Sequence, residues 1–227
     1  MIHLTTKEKI KYIFSNNPIK TLPQIMKWAL LVPQYIYNKF WKMARKISQN
    51  SIFIRKSEIY MCSLFPKKIL DAIITEFKPK TILDLGCGTG KSLDYFVSKN
   101  IKVMGVEGSS LAIKQSSNPK LIKKFNLNNE LNLNQKFDLI WSFEFVEHIH
   151  QNYLDNLMKT FTNHSDSIII SAARPGQGGE GHFNEQNDEY WITQFKKYNY
   201  KLDEINTKKL RLIDEQFSKN MYVFKIN

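Results

Sequence analysis

Cysteine is scarce in this chain: its 227 residues include two, Cys62 and Cys87. Neither stands in a C-x-x-C pair or another metal-ligand spacing. That excludes a disulfide framework and makes a reducing, cytoplasmic setting the expectation. Glycine is missing from the first 85 residues, and all nine fall at 86, 88, 90, 105, 108, 176, 178, 179 and 181. Acid is nearly missing from the first 57, where Glu8 stands against eleven lysines and arginines. The front therefore carries +10, and the remainder, with 22 basic and 20 acidic side chains, only +2. Long apolar runs are also lacking. Trp28 to Tyr37 is too short and interrupted to cross a bilayer, which needs about 20 residues. Residues 1–11 mix lysine with glutamate and show no apolar stretch of the kind a signal peptide needs. These absences divide the chain into a basic front, residues 1–57, and a turn-rich body, residues 58–227.

In the front, Leu22, Ile25, Met26, Ala29, Leu30, Pro33, Ile36, Tyr37, Phe40, Trp41, Ala44 and Ile47 follow helical spacing, with Lys27, Lys39, Lys42, Arg45 and Lys46 on the other face. Pro33 kinks or divides the helix. Three uses stay open: a cap packed on the body or over the substrate, an anionic membrane interface suited to Trp and Tyr beside Lys and Arg, and contact with nucleic acid. Interfacial membrane association would qualify the cytoplasmic assignment.

The body reads as alternating helices and strands. A helix carrying Leu64, Ile69, Leu70, Ala72, Ile73, Ile74 and Phe77 and ending near Pro79 precedes strand one at Lys80–Leu85, and a second helix runs to about Lys99. Strand two covers Ile101–Val106. Ser109 N-caps a short helix, and Leu121–Phe125 forms strand three. Strand four is Phe137–Phe143, followed by a helix carrying Tyr153, Leu154, Leu157 and Phe161. Strand five is Ser167–Ser171, a helix lies around Tyr190–Tyr198, and strands near Lys201–Ile205 and Met221–Ile226 finish the chain. This alternation predicts a Rossmann-like, doubly wound α/β fold with a mostly parallel seven-stranded sheet. Ligands in such folds lie at the strands' C-terminal ends.

The turn Asp84-Leu-Gly-Cys-Gly-Thr-Gly90 joins strand one to a helix start, where free N–H groups and close backbone approach suit a cofactor. A dinucleotide fingerprint requires G-x-G-x-x-G, but Lys91 stands where the third glycine belongs. A P-loop requires G-x-x-x-x-G-K-S/T, and residue 85 is leucine. Glu107, at the tip of strand two, can accept two ribose hydroxyl hydrogen bonds.

The turn, together with Gly105-Val-Glu107-Gly-Ser, resembles the first two motifs of class I S-adenosylmethionine-dependent methyltransferases. The resemblance spans roughly residues 60–227. It implies that Asp84, Gly86, Cys87, Gly88 and Gly90 cradle the methionine moiety of S-adenosyl-L-methionine. Glu107 and Gly108 would hold the ribose and Asn126 and Leu127 frame the adenine, with Ser142 a further cofactor contact. The stretches Ser142-Phe-Glu144-Phe-Val-Glu147-His148-Ile149, Ala173 to Glu185 and Tyr190-Trp191 are similar to small methyltransferases linked to sugar or small-molecule modification.

If a helix begins after strand four, Glu144, Glu147 and His148 share one of its faces at i, i+3 and i+4. The glycines at 178, 179 and 181 allow the next loop to bring His182 to the same edge. Two carboxylates and two imidazoles suit Mg²⁺ or Mn²⁺, and E-x-x-E-H with a later histidine also resembles the metal site of small-RNA 3′-terminal 2′-O-methyltransferases. A metal-free alternative uses His182 or His148 as general base. In a third reading, Glu147 only buttresses the helix. His3, His150 and His164 read as surface groups. Arg174, Gln177, Asn184, Glu185, Tyr190 and Trp191 are the residue types that contact a sugar or polyol. The reaction expected is O-methylation of a glycan or small polyol. The alternatives are a terminal RNA ribose as acceptor and a catalytically idle interaction protein.

Overall fold

The computed structural model describes residues 63–179, 181–214, 217 and 219–227. The amphipathic helix read in residues 1–57 and the use of its basic face, like His3 and Cys62, lie outside these residues.

Seven strands form one sheet: β1 (Thr81–Leu85), β2 (Lys102–Glu107), β3 (Ile122–Lys124), β4 (Leu139–Ser142), β5 (Ser167–Ser171), β6 (Tyr200–Leu202) and β7 (Met221–Ile226). Their order is β3-β2-β1-β4-β5-β7-β6, with β7 antiparallel to both neighbours and the pairs from β3 to β5 parallel. This is the Rossmann-like, mostly parallel sheet expected. The connections are α1 (Lys67–Phe77), α2 (Lys91–Ser98), α3 (Ser110–Lys114), α4 (Leu154–His164), α5 (Asp188–Lys196) and α6 (Glu204–Arg211).

Two apolar layers follow from the two-residue period of the strands. Leu83, Leu85, Ile140, Ile168 and Ile170 face one layer with Leu157, Phe161, Trp191 and Phe195. Ile82, Leu139, Trp141 and Ile169 face the other with Ile69, Leu70, Ile73 and Phe96. Both faces of β4 are covered, so all four of its residues are buried. A fully buried Leu or Ile contributes about 1.5–3 kcal/mol, which is why such strands read as unbroken apolar runs. Asp138 pins the start of this sheet, accepting from the Lys80 and Thr81 N–H groups at 2.7 and 2.9 Å.

Four elements differ from the sequence reading. The first helix begins at Lys67, after Pro66, rather than at Leu64. Strand three shortens because Pro119–Leu121 forms a 3₁₀ turn before it. The strand expected over Lys201–Ile205 ends at Leu202, where Asp203 caps α6 by accepting from Asn206 N–H. That helix buries only Thr207 and Leu210, too few positions to leave a helical stripe in the sequence. After β4 no helix begins; single 3₁₀ turns at Val146–His148 and Gln151–Tyr153 lead into α4 instead.

Among the described residues, no helix is long and apolar enough to cross a membrane.

Candidate active site

At the end of β1 the chain turns across the tip of β2. The N–H groups of Gly86 and Cys87 both donate to Val106 O, at 2.9 and 3.3 Å, and Gly90 N–H closes the turn on Cys87 O at 2.9 Å. Gly86 has φ +75°, and a Cβ there would lie 2.2 Å from the Phe145 ring, so both backbone and space demand glycine. Gly90 caps α2, whose first N–H groups face the turn.

Glu107 organises the turn from below. Its Oε2 accepts from Gly88 N–H at 2.9 Å and its Oε1 from Ser109 N–H at 2.6 Å. Each carboxylate oxygen keeps further acceptor capacity, the requirement for holding a vicinal diol such as a ribose. Burial raises the Glu107 pKa, against the pull of the Ser109, Gly88 and Gly108 N–H groups. Asp84 is 2% exposed, and burial first, then the Glu107 charge, pushes its carboxyl well above the usual range. The Cys87 thiol is likewise raised by burial, with Asp84 and Glu107 adding to the effect, so Cys87 lines the turn as a neutral thiol.

The other expected cofactor residues divide. Asn126 follows β3, and its Oδ1 accepts from Asn128 N–H at 3.1 Å, closing the turn it was expected to offer to adenine. Leu127 is 4% exposed and packs in the core. Ser142 is fully buried, and its hydroxyl donates to Leu85 O at 2.9 Å, linking β4 to the end of β1. The sequence offered no sign of that link.

The second constellation is assembled differently from the shared helix face expected. Glu144 adopts φ +48°, its N–H donates to Ser171 Oγ at 2.6 Å, and Ser171 Oγ donates back to Glu144 Oε1 at 2.8 Å. Asn220 Nδ2 approaches the same oxygen at 3.4 Å. Glu144 is thus tied to β5 and the start of β7. Glu147 lies in the following 3₁₀ turn with 0% exposure; no donor meets its carboxylate oxygens in full hydrogen-bond geometry, although the Glu147 and Ala173 N–H groups lie near enough to pull its pKa down. Its carbonyl oxygen accepts from Phe183 and Asn184 N–H at 2.9 and 3.0 Å, which docks the glycine-rich loop on the turn.

His182 then lies beside His148, with ring centroids 5.0 Å apart and planes at 85°. Gly179 makes the room: a Cβ on it would sit 2.3 Å from His182 Nε2. His148 Nδ1 contacts Gly181 O at 3.0 Å, and a carbonyl can only accept. The imidazole therefore carries its proton on Nδ1 and its basic lone pair on Nε2. His182 Nδ1 meets Glu185 Oε1 at 2.9 Å, with the same consequence for that ring. Burial works against the Glu185 charge, but the His182 ring and the Gly176 and Gly178 N–H groups outweigh it and hold its pKa below the ordinary value.

One ligand atom each from Glu147, His148 and His182 falls within 4.8 Å of the others. A buried carboxylate with no well-formed hydrogen bond, beside two oriented imidazoles, is an arrangement that a divalent cation satisfies. Glu144 does not belong to this group. Burial first, then the Glu144 charge, drives the Glu147 carboxyl well above the usual range; the Glu147 and Ala173 N–H groups pull against that rise, and Glu185 adds a smaller push. One carboxylate with two imidazoles favours a borderline ion such as Mn²⁺ over Mg²⁺, which prefers oxygen.

The residues read as sugar contacts range from buried to exposed: Arg174, Glu185 and Tyr190 are half-buried and Gln177 is exposed. Trp191 is fully buried and Asn184 is 1% exposed, with its Oδ1 accepting from Gln186 Nε2 at 3.1 Å. Arg174 pairs with Asp188, which also binds Arg211 and the Tyr222 hydroxyl. Gln177 Oε1 accepts from Arg174 N–H and Asn220 Nδ2. They build the loop's foundation. His164, expected in solvent, is fully buried: its Nδ1 donates to Thr160 O at 2.6 Å, and its Nε2 accepts from Leu133 N–H at 2.9 Å. His150 is half-buried and caps the next turn by accepting from Asn152 N–H.

Residues 58–168 match the family model for a methyltransferase domain. Among solved structures, the chain is similar to the methyltransferase domain of bacterial CtHen1-C, at 18% identity and TM-score 0.53, covering 70% of this chain and 97% of that one. It is also similar to an S-adenosylmethionine-dependent methyltransferase from Clostridium acetobutylicum, at 16% identity and TM-score 0.55, covering 85% and 99%. A third is the plantazolicin methyltransferase BpumL in complex with SAH, at 18% identity and TM-score 0.50, covering 75% and 86%. No curated protein matches the chain in sequence.

Proposed function

We propose that this chain is an S-adenosylmethionine-dependent methyltransferase, a reading supported by the methyltransferase-domain match and the fold, and that it methylates a hydroxyl of a sugar, glycan or other small polyol with the help of a divalent cation. The observation that carries the reading is Glu147, whose wholly buried carboxylate has no well-formed hydrogen bond and lies with His148 and His182.

In this reading the glycine turn cradles the methionine moiety and Glu107 binds the ribose hydroxyls. Glu147, His148 and His182 would hold the cation. Acting as a Lewis acid, the ion would lower the pKa of a sugar hydroxyl that is otherwise a poor nucleophile. The chain's own contribution is alignment. The Val146–His148 turn follows β4, the neighbour of β1, so the acceptor site and the donor turn share one sheet edge. Holding two reactants in line contributes about 7–11 kcal/mol in favourable cases. His182 and His148 each keep Nε2 as the basic nitrogen, so in a metal-free version either could accept the hydroxyl proton at that atom.

A terminal RNA ribose is the second acceptor supported, by the +12 net charge and its concentration in residues 1–57. The same basic front could hold an anionic membrane surface. Methyl transfer from tritiated donor to total glycan, lipid, protein and RNA fractions, with EDTA or added Mn²⁺, tests the reading. Mn²⁺-dependent label in the glycan or small-molecule fraction supports it. Label confined to RNA replaces the acceptor, and transfer unchanged by EDTA removes the cation. Salt-sensitive retention on RNA, compared with flotation on anionic vesicles, identifies what the front touches.

A further inference from the structure

Glu185 stands outside the three-residue cluster, yet it touches both parts that the loop must hold in place. Its Oε1 accepts from His182 Nδ1 at 2.9 Å, and its Oε2 accepts from Gly176 N–H at 2.9 Å. The two contacts use different oxygens in the same role. Gly176 has φ +83° and opens the glycine-rich loop, whereas His182 lies beyond the loop's last glycine. One side chain therefore ties the loop's beginning to the imidazole at its end. The His182 and Glu185 side chains are 9% and 19% exposed, so little water competes for the pair.

We propose that Glu185 is a positioning residue: it fixes His182 as the Nδ1–H tautomer and clamps the glycine-rich loop, so that Nε2 is presented to Glu147 and His148. This inference rests on the metal-assisted reading above. A carboxylate is the side chain that performs both tasks. Glutamine matches its shape but has one acceptor oxygen, and its NH₂ group placed against either N–H sets donor against donor. Aspartate is one methylene shorter and cannot span both partners from the same Cα. Hydrogen bonds of this kind orient a ligating histidine, and their loss typically weakens metal binding 10–100-fold.

The other supports leave this task to Glu185. The docking bonds from Phe183 and Asn184 N–H to Glu147 O restrain the backbone after His182 but leave its ring free to turn. Gly179 supplies space for that ring without holding it.

The test uses the full chain and Glu185→Gln, with Glu185→Ala as a second variant that removes both acceptors without adding a donor. Mn²⁺ is titrated calorimetrically, and long-range ¹⁵N–¹H spectra report the histidine tautomers, with His182→Ala assigning the signal. The expected result is Mn²⁺ binding 10–100-fold weaker in Glu185→Gln, a His182 signal shifted from Nδ1–H toward a tautomer mixture, and a melting temperature close to that of the unaltered chain. A residue that only stabilises the loop would lower the melting temperature without changing the tautomer. Unchanged affinity with an unchanged tautomer in either variant overturns the proposal. If the unaltered chain takes up no Mn²⁺, the metal-assisted reading fails by itself. The spectra then decide Glu185: a lost Nδ1–H preference supports it, and a retained one refutes it.

Discussion

Replacing Glu147 with glutamine removes an ionisable group and keeps its shape. The carboxyl is wholly buried, has no well-formed hydrogen bond, and is pushed well above its ordinary pKa by burial and the nearby Glu144 charge, which outweigh the Glu147 and Ala173 N–H groups. In metal-free protein the sign of the consequence is fixed. Above the unfolded-state pKa, near the ordinary 4.5, the folded state holds a proton that the unfolded state has released. Raising the pH then favours unfolding, until the folded carboxyl itself ionises. Across that window each pH unit costs the unaltered chain about 1.4 kcal/mol, and Glu147→Gln does not incur this loss. Asp84 and Glu107, also raised by burial, impose their own slope on both proteins and cancel in the difference. In EDTA the variant should therefore melt near the unaltered chain at pH 5 and increasingly above it toward pH 8. For a domain of this size the gap grows by about 2–4 °C per kcal/mol. Differential scanning fluorimetry at half-unit pH steps reads it. Mn²⁺ should reverse the order at pH 8 by stabilising only the unaltered chain. Two pH profiles that run parallel would refute the reasoning, because they would mean that the Glu147 carboxylate is solvated or partnered in the fold.

Gly179→Ala places a Cβ 2.3 Å from His182 Nε2 and should abolish Mn²⁺ binding by calorimetry. Gly178→Ala meets no atom within 4 Å, incurs only the strain of φ +70°, about 1–2 kcal/mol, and should leave Mn²⁺ binding unchanged. Gly86→Ala combines φ +75° with a clash at 2.2 Å against Phe145. It should weaken S-adenosylhomocysteine binding tenfold or more, since about 1.4 kcal/mol suffices for that factor. His164→Leu orphans Leu133 N–H, while Thr160 O keeps its helical bond from the backbone N–H of residue 164. At about 1–3 kcal/mol for that buried group left unpaired, the melting temperature should fall by several degrees, with turnover per folded molecule unchanged.

Chemistry carried by neighbouring residues was legible in the linear chain. Asp84 to Gly90 announces a tight glycine turn because left-handed glycines, a strand end and a helix start are all local events, and Glu107 follows as the acid at the tip of the next strand. The order of the first five strands was legible for the same reason, since each is an apolar run set off by turn residues. Tertiary structure decided the rest. Glu144 and Glu147 look equivalent in E-x-x-E-H, and a helix would have made them so. Ser171, 27 residues away, captures Glu144 in a left-handed backbone conformation, so that Glu147 and not Glu144 lies with the imidazoles. Glu185 looked like a sugar contact until His182 and Gly176 proved to share its two oxygens. His164 gave no sign of burial, because Leu133 N–H, its partner, belongs to an irregular loop 31 residues earlier. A polar side chain in a sequence shows what it can donate or accept. Which groups arrive to meet it depends on how distant segments pack, and here that packing separated Glu147, set beside two imidazoles, from the Glu144 and Glu185 carboxylates that tie neighbouring segments together.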